Sequence, residues 1–310
     1  MIGIIDHDST YVYSFTDSNK LQLNDTSIYE IGGVSKIFTA HLCRLLQSEK
    51  KLDLTASILS YLPQVTNAQL KPVTIENLLT HTSGLINRPS NLGIKSTDPG
   101  DPYKNYTRED LITYLNGISF QRDTGDYLYS HLNYAVIEMI LEQVTNSDFE
   151  DLLEQYIFLP NEMTHTFISN SSAKICPGYD RSGRLASPWS TNIFGASEGI
   201  KTNCADLLAY LHRQLLRGVE MTPLMEMLKP HKKIPNTKKA FAAEGWHLFK
   251  NKKDLTIYLH SGKTTGHAAS VHFIPRTRTG VVLLTNAPGK MDGLATLVLR
   301  MLNQNWKRKS

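Results

Sequence analysis

Segments that read as strands stand at both ends of this chain, and nearly everything between them reads as helix or loop. Near the start, Ile2 to Ile5 and Tyr11 to Phe15 flank the polar turn Asp6-His7-Asp8-Ser9-Thr10, a hairpin pattern. Near the end come Leu255 to His260, Ser270 to Ile274 and Gly280 to Thr285, the last two joined through Pro275-Arg276-Thr277-Arg278-Thr279. Strands with an apolar face must be paired and covered. Two terminal groups of strands with helices between them therefore predict an α+β chain: one antiparallel sheet built from both termini and flanked by helices, with an inserted helical lobe. The expected division is residues 1–60 and 190–310 for an α/β sandwich domain with the sheet, and 61–189 for the lobe.

Val34, Phe38, Leu42, Leu45 and Leu46 recur at helical spacing from the Gly32-Gly33 break to Glu49, which puts Lys36 in the first turn of a mostly buried helix. Asn133 to Val144 is the clearest helix of the middle, with Tyr134, Ile137, Leu141 and Val144 on one face. Further helices are expected over Asp206 to Arg217 and Asp292 to Trp306, and a long loop over Asn87 to Tyr106. Apolar residues make up 41% of the 310, enough for a substantial core.

No apolar run approaches the roughly 18 residues of a membrane helix, and Asp6 interrupts Met1 to Ile5 before it could form a signal-peptide core. The sequence reads as cytoplasmic, or as periplasmic or extracellular if a leader has been removed. Cys43, Cys176 and Cys204 form neither a disulfide framework nor a metal motif and read as reduced thiols. The net charge of +4 is slight. The basic residues Lys229, His231, Lys232, Lys233, Lys238 and Lys239 read as a solvated loop, and Lys307, Arg308 and Lys309 as a frayed tail. Without interleaved aromatics or a recognition motif, nucleic acid is discounted as a partner, and contact with membrane or cell wall has no support beyond this charge.

One ordered series of segments is more specific. It runs Ile31-Gly32-Gly33-Val34-Ser35-Lys36-Ile37-Phe38-Thr39-Ala40, then Lys51-Leu52-Asp53-Leu54 and Tyr61-Leu62-Pro63, then Val73 through His81-Thr82-Ser83-Gly84-Leu85. Tyr129-Ser130-His131, Gly195-Ala196-Ser197-Glu198-Gly199-Ile200 and His260-Ser261-Gly262 with Gly266 complete it. Over nearly the whole chain this resembles the class C β-lactamase and DD-peptidase superfamily of penicillin-binding protein-like serine hydrolases, which also includes esterases, D-aminopeptidases and transacylases. The resemblance implies a β-lactamase/transpeptidase-like fold and acyl transfer through a serine-bound acyl-enzyme. It implies a small-molecule or peptide acyl substrate, no cofactor and no metal. The scattered histidines agree, since none has the spacing of a metal pair.

In that family a serine opens the Ser-x-x-Lys motif, and here Gly33 occupies its position. An acyl-enzyme cannot form there. Lys36, one helical turn on, matches the base that deprotonates the serine, and burial would favour its neutral amine. The resemblance makes Tyr129 a second base, its phenolate or shared proton held near Lys36, and gives His260 a catalytic place in the third motif on an edge strand. Ser261 and Gly262 would line the substrate cleft, and the backbone N–H groups of Gly33 and Lys263 would form the oxyanion hole. His131 stands where the family commonly has a substrate-binding asparagine. Imidazole lacks the paired donor and acceptor of an amide, which weakens the case for peptide-like or penicillin-like recognition. His81-Thr82-Ser83 reads as a buttress, with Gly84 as a left-handed cap.

Two explanations of Gly33 stand. Either a serine hydrolase has been inactivated by replacement of its nucleophile, as retention of Lys36, Tyr129 and His260 suggests, or the chain is a natural pseudoenzyme that binds a ligand or partner in the cleft. Rescue by Ser35 is disfavoured, because that residue is rotated by about 200° around the helix. Of the possible activities, a DD-peptidase-like amide hydrolase ranks before an esterase or acyltransferase, and those before a β-lactamase.

Overall fold

The computed structural model describes residues 1–16, 23–95, 98–119, 124–169, 172–216, 223–251 and 254–305. Arg217, Trp306, Lys307, Arg308 and Lys309 lie outside the described residues. The strands are β1 (Ile2–Asp6), β2 (Ser9–Tyr13), β3 (Tyr29–Glu30), β4 (Gly178–Tyr179), β5 (Leu185–Ala186), β6 (Lys201–Thr202), β7 (Lys232–Lys233), β8 (Ala240–Ala242), β9 (His247–Lys250), β10 (Thr256–Lys263), β11 (Ala268–Ile274) and β12 (Thr279–Thr285). The helices are α1 (Ser35–Ser48), α2 (Ile75–Leu79), α3 (Leu92–Lys95), α4 (Arg108–Gly117), α5 (Leu132–Thr145), α6 (Phe149–Leu153), α7 (Cys204–Leu216), α8 (Pro223–Met227) and α9 (Asp292–Leu302).

An antiparallel sheet in the order β2-β1-β12-β11-β10-β9-β8-β7 is the frame. The first strand is zipped to the last, with Ile2 opposite Leu283 and Asp6 opposite Thr279. Because side chains alternate across a sheet, successive residues of β12 serve different layers. Val281 and Leu283 join Ile257 and Ile274 beneath Ala295 and Leu299 of α9. Val282 and Leu284 belong to the larger core that contains Ile37 and Leu42 of α1 and Leu207 and Leu211 of α7. This double burial explains why β12 reads as a continuous apolar run.

The opening hairpin is tighter than the sequence suggested, with Asp6 paired to Ser9 across a two-residue turn in which His7 has φ 57°. The basic segment was expected to be a solvated loop. Instead Lys232 and Lys233 form the outer strand β7 against β8, and His231 lies between Glu76 and Glu244 at 3.4 and 3.5 Å. Lysines suit that place because a charged edge discourages pairing with another chain. Short strands with little alternation hid β7 to β9 from a periodicity reading. Gly84 does have φ 80°, but the left-handed residue that follows α2 and its C-cap Thr80 is His81, at φ 59°. A reciprocal capping box between Thr74 and Asn77 fixes the other end of α2.

Two features place the site. First, α1 starts from a 3-10 turn over Gly32–Val34, so Lys36 enters the protein at the very start of the helix. Second, β10 extends beyond the expected end at His260 to Lys263, while its pairing with β9 stops at Leu259. β10 is therefore an interior strand whose last residues lack a strand neighbour on one side, and the Gly32–Gly33 turn packs there. A Cβ at Gly262 would stand 2.0 Å from Ile31 O and 2.4 Å from Gly33 N. Only glycine permits this approach of two backbones.

Gly262→Ala is expected to push the turn off β10 and to cost at least ~1–3 kcal/mol in urea unfolding, as overpacked sites do. Gly117→Ala is the control: nothing lies within 4 Å of its Cβ position, and the fold should lose no stability.

Candidate active site

A cavity of about 340 Å³ opens where the Gly32–Gly33 turn, β10 and the segment before α5 meet, and Gly33, Tyr129, His131, His260, Ser261, Gly262 and Lys263 all line it. The structure thus brings together the residues singled out from sequence, with Lys36 directly behind them. Fully buried, Lys36 donates from Nζ to Ser197 O at 2.9 Å and Ser197 Oγ at 3.0 Å, and lies 3.0 Å from His131 Nδ1. Burial lowers its pKa to about 7, against the opposing pull of Glu198. His131 Nδ1 also lies 3.1 Å from Ser197 Oγ and 3.3 Å from Glu198 Oε1. Burial, with Lys36 and Arg88 close by, holds His131 well below the usual histidine range, so the ring beside the lysine is neutral.

Tyr129 belongs to a different circuit. Its hydroxyl lies 3.2 Å from His260 Nε2, while Lys36 Nζ is 5.3 Å from the centre of its ring. This corrects the expectation of a proton shared with Lys36. The tautomer follows from chemistry: His260 Nδ1 is 2.7 Å from Gly245 O, a carbonyl that can only accept, so Nδ1 carries the hydrogen and Nε2 receives the Tyr129 O–H. Burial also raises the Tyr129 pKa well above the usual phenol value and lowers that of His260, so the pair stays neutral and a phenolate is disfavoured. His81 sets the ring from behind, with centroids 4.4 Å apart, and its Nδ1 accepts from Ser130 N–H at 3.1 Å.

The position of Gly33 is closely surrounded. A Cβ there would meet Ser261 O at 3.0 Å, Tyr129 Oη at 3.2 Å and His260 Nε2 at 3.4 Å. Ser35 offers no substitute, since its buried hydroxyl accepts from Ile200 N–H at 3.1 Å.

Sequence reasoning missed Arg88, Glu198 and His247, which also line the cavity, and Ser197 behind it. Buried Glu198 is held by the Tyr103 hydroxyl and lies 3.4 Å from Arg88. A carboxylate in the small-residue segment Gly195 to Gly199 was a usable signal. Arg88 carried none, because only the fold of the Asn87-to-Tyr106 loop turns it toward the cleft.

Cys43, Cys176 and Cys204 are free and buried, as read from their spacing. Away from the cavity, ligand-type atoms of Glu76, His231 and Glu244 come within 4.8 Å of one another, a grouping that sequence spacing did not reveal. Arg44 grips both carboxylate oxygens of Glu244, one through Nε at 2.6 Å, and supplies the positive charge that buried group needs. Among the described residues no helix is long and apolar enough to cross a membrane.

The family model described as Beta-lactamase matches residues 2–303. The chain belongs to the Beta-lactamase family. It is 28% identical over 198 residues to a Beta-lactamase of Providencia stuartii, covering 62% of this chain and 48% of that protein. It is 26% identical over 290 residues to Protein flp of Staphylococcus aureus strain N315, covering 88% of this chain and 56% of that one. The chain thus spans about half the length of these curated relatives. Among solved structures, the octameric penicillin-binding protein homologue from Pyrococcus abyssi superposes with a TM-score of 0.83 at 22% identity, over 98% of this chain and 73% of that one. The β-lactamase/D-alanine carboxypeptidase from Pseudomonas syringae gives 0.83 at 19%, over 99% and 93%. The fold is the β-lactamase/penicillin-binding protein fold, and the superfamily is one of serine hydrolases.

Buried Lys36 makes a pH-dependent contribution to stability. Its folded pKa of about 7 lies below the unfolded 10.5, so between these values the unfolded chain binds more protons and stability rises with pH. Lys36→Met is expected to remove this slope, of up to ~1.4 kcal/mol per pH unit. Its stability relative to the parent should be highest below pH 7 and fall as pH rises toward 10, which urea unfolding at several pH values measures.

Proposed function

We propose that this chain carries the site of a serine acyl hydrolase or acyltransferase, nearest to a DD-peptidase-like amide hydrolase, in which Gly33 has taken the nucleophile's place. As it stands, the chain binds a small-molecule or peptide acyl compound without forming an acyl-enzyme. The observation that carries this reading is Gly33 itself, set at the helix start one turn from a buried Lys36 and beside Tyr129 and His260. Its backbone N–H and that of Lys263 are assigned to the ligand's carbonyl oxygen, and replacement of serine by glycine removes neither. Ser261 and Gly262 form the wall along which the ligand backbone lies, and His131 meets its acyl-side amide.

With a serine present, Lys36 is the base that takes the hydroxyl proton, because its pKa of about 7 supplies neutral amine at neutral pH. Lys36 then gives that proton back to the leaving group by way of Tyr129, whose hydroxyl hands on its own hydrogen as it takes the lysine's, so that the Tyr129–His260 pair ends neutral as it began. His260 in the third motif, together with His131 in place of an amide, supports ranking amide and ester substrates ahead of β-lactams.

Gly33→Ser is expected to convert a chain without turnover into one that hydrolyses a D-Ala-D-Ala peptide or a short nitrophenyl ester and is labelled by fluorescent penicillin. Its kcat/KM should rise with pH through about 7 as Lys36 loses its proton, and Lys36→Ala in that background should cost ~10²–10⁴-fold. No turnover on amides, esters or β-lactams, together with no labelling, would overturn the reading.

A second reading, a natural pseudoenzyme, is favoured by the close surroundings of the Gly33 Cβ position, where Ser261 O, Tyr129 Oη and His260 Nε2 would stand 3.0, 3.2 and 3.4 Å from a Cβ. The natural gene decides between them. A serine codon at this position eliminates the pseudoenzyme, and a glycine codon eliminates an introduced inactivation.

A further inference from the structure

The Gly32–Gly33 turn and the end of β10 are joined a second time, behind the cavity, by a buried carboxylate. Glu30, the last residue of β3, is 2% exposed and accepts three hydrogen bonds. Trp189 N–H reaches Oε1 at 2.6 Å, and Thr264 Oγ1 and His267 Nδ1 reach Oε2 at 2.7 and 3.1 Å. Thr264 and His267 close the turn between β10 and β11: Thr264 N–H donates to His267 O at 3.0 Å, and His267 N–H to Thr264 Oγ1 at 3.1 Å. The same turn is tied outward, since Trp189 Nε1 donates to Thr265 Oγ1 at 3.0 Å and Thr265 Oγ1 to Gly100 O at 2.9 Å.

The ring of His267 is equally constrained. It is 2% exposed, and Nε2 lies 2.9 Å from Cys176 O, a backbone carbonyl that can only accept, while Nδ1 faces the Glu30 carboxylate. A neutral imidazole has one N–H and would leave a lone pair against one of these acceptors; an imidazolium satisfies both. Of the surrounding ionisable groups, the Glu30 carboxylate favours this cation and Lys201 opposes it. Lys201 stands opposite Glu30 in the β3–β6 ladder, the Tyr29 ring meets His267 edge-on at 5.7 Å, and the Cys176 thiol is kept protonated by burial.

We propose that Glu30 is a positioning residue: paired with His267 as a buried imidazolium, it locks the β10–β11 turn to the segment that carries Gly33 and so holds the Lys263 amide in register with the Gly33 amide. Neither side chain lines the cavity, so both act through the backbone. The functional part of this role rests on the reading of those two amides as the carbonyl donors.

Three measurements on the full chain test it. Long-range ¹H–¹⁵N spectra are expected to show both His267 ring nitrogens protonated at pH 7 to 8, and a neutral ring in Glu30→Gln. Amide exchange at Thr264 and His267 should quicken at least ~10-fold in that variant while Leu283 in β12 keeps its protection. Should Glu30→Gln fail to fold, Thr264→Val deletes a single hydroxyl from the lock and is expected to quicken exchange at His267, again with Leu283 unchanged. In the Gly33→Ser background, Glu30→Gln should lower kcat about 10-fold or more with KM changed less than about 2-fold, as expected when transition-state contacts alone are lost. A singly protonated His267 in the parent overturns the proposal, as does unchanged exchange in the turn or acceleration that is equal in β12. If Gly33→Ser shows neither turnover nor labelling, the acyl-transfer reading falls, while the ring spectra and exchange still decide the lock.

Discussion

The approach of β10 to the Gly32–Gly33 turn is the contact on which the rest depends. Two stretches of backbone come so close that a single methyl group at residue 262 would overlap a carbonyl oxygen. On the side where they meet neither stretch has a partner in a regular ladder, because the pairing of β10 with β9 stops at Leu259 and the turn is a 3-10 entry into α1. What holds them is the structure on either side: a helix anchored in the main core, and a central sheet strand supported by β11. The cavity is the space left in front of that junction.

Behind the junction the polar groups divide into separate circuits. Lys36 is bound to Ser197 and His131, with Glu198 next in line, whereas Tyr129 is bound to His260 and through it to Gly245 O. Each group is paired within the protein, since an unpaired buried donor costs more than a hydrogen bond gains. Lys36 and Tyr129 are thus satisfied separately, on either side of the position that Gly33 occupies.

The fold was legible where burial imposes periodicity. α1, α5 and the strands β1, β11 and β12 are long or doubly covered, so their apolar residues recur at the spacing of their geometry. β7 to β9 are too short to show alternation, and Lys232 and Lys233 are ordinary loop residues until a neighbouring strand gives them a partner. Of the site, Gly33, Lys36, Tyr129 and His260 could be named because their segments resemble a known order. Glu198 carried a signal in its small-residue segment, but Arg88 and His247 could not be named, because only the fold brings the segment after Asn87 and the start of β9 to the same cavity.

By itself, then, the sequence determined the family, the sheet built from both termini, and the absence of a hydroxyl at position 33. Each of these resides in residue identity and local spacing. Which proton each buried group holds was decided only in three dimensions. Lys36 faces Ser197 across 161 positions of chain, Tyr129 faces His260 across 131, and Glu30 faces His267 across 237. Hydrogen bonds and desolvation act over a few ångströms of space, whatever the separation along the chain, so the electrostatic character of this site exists only once the fold has closed.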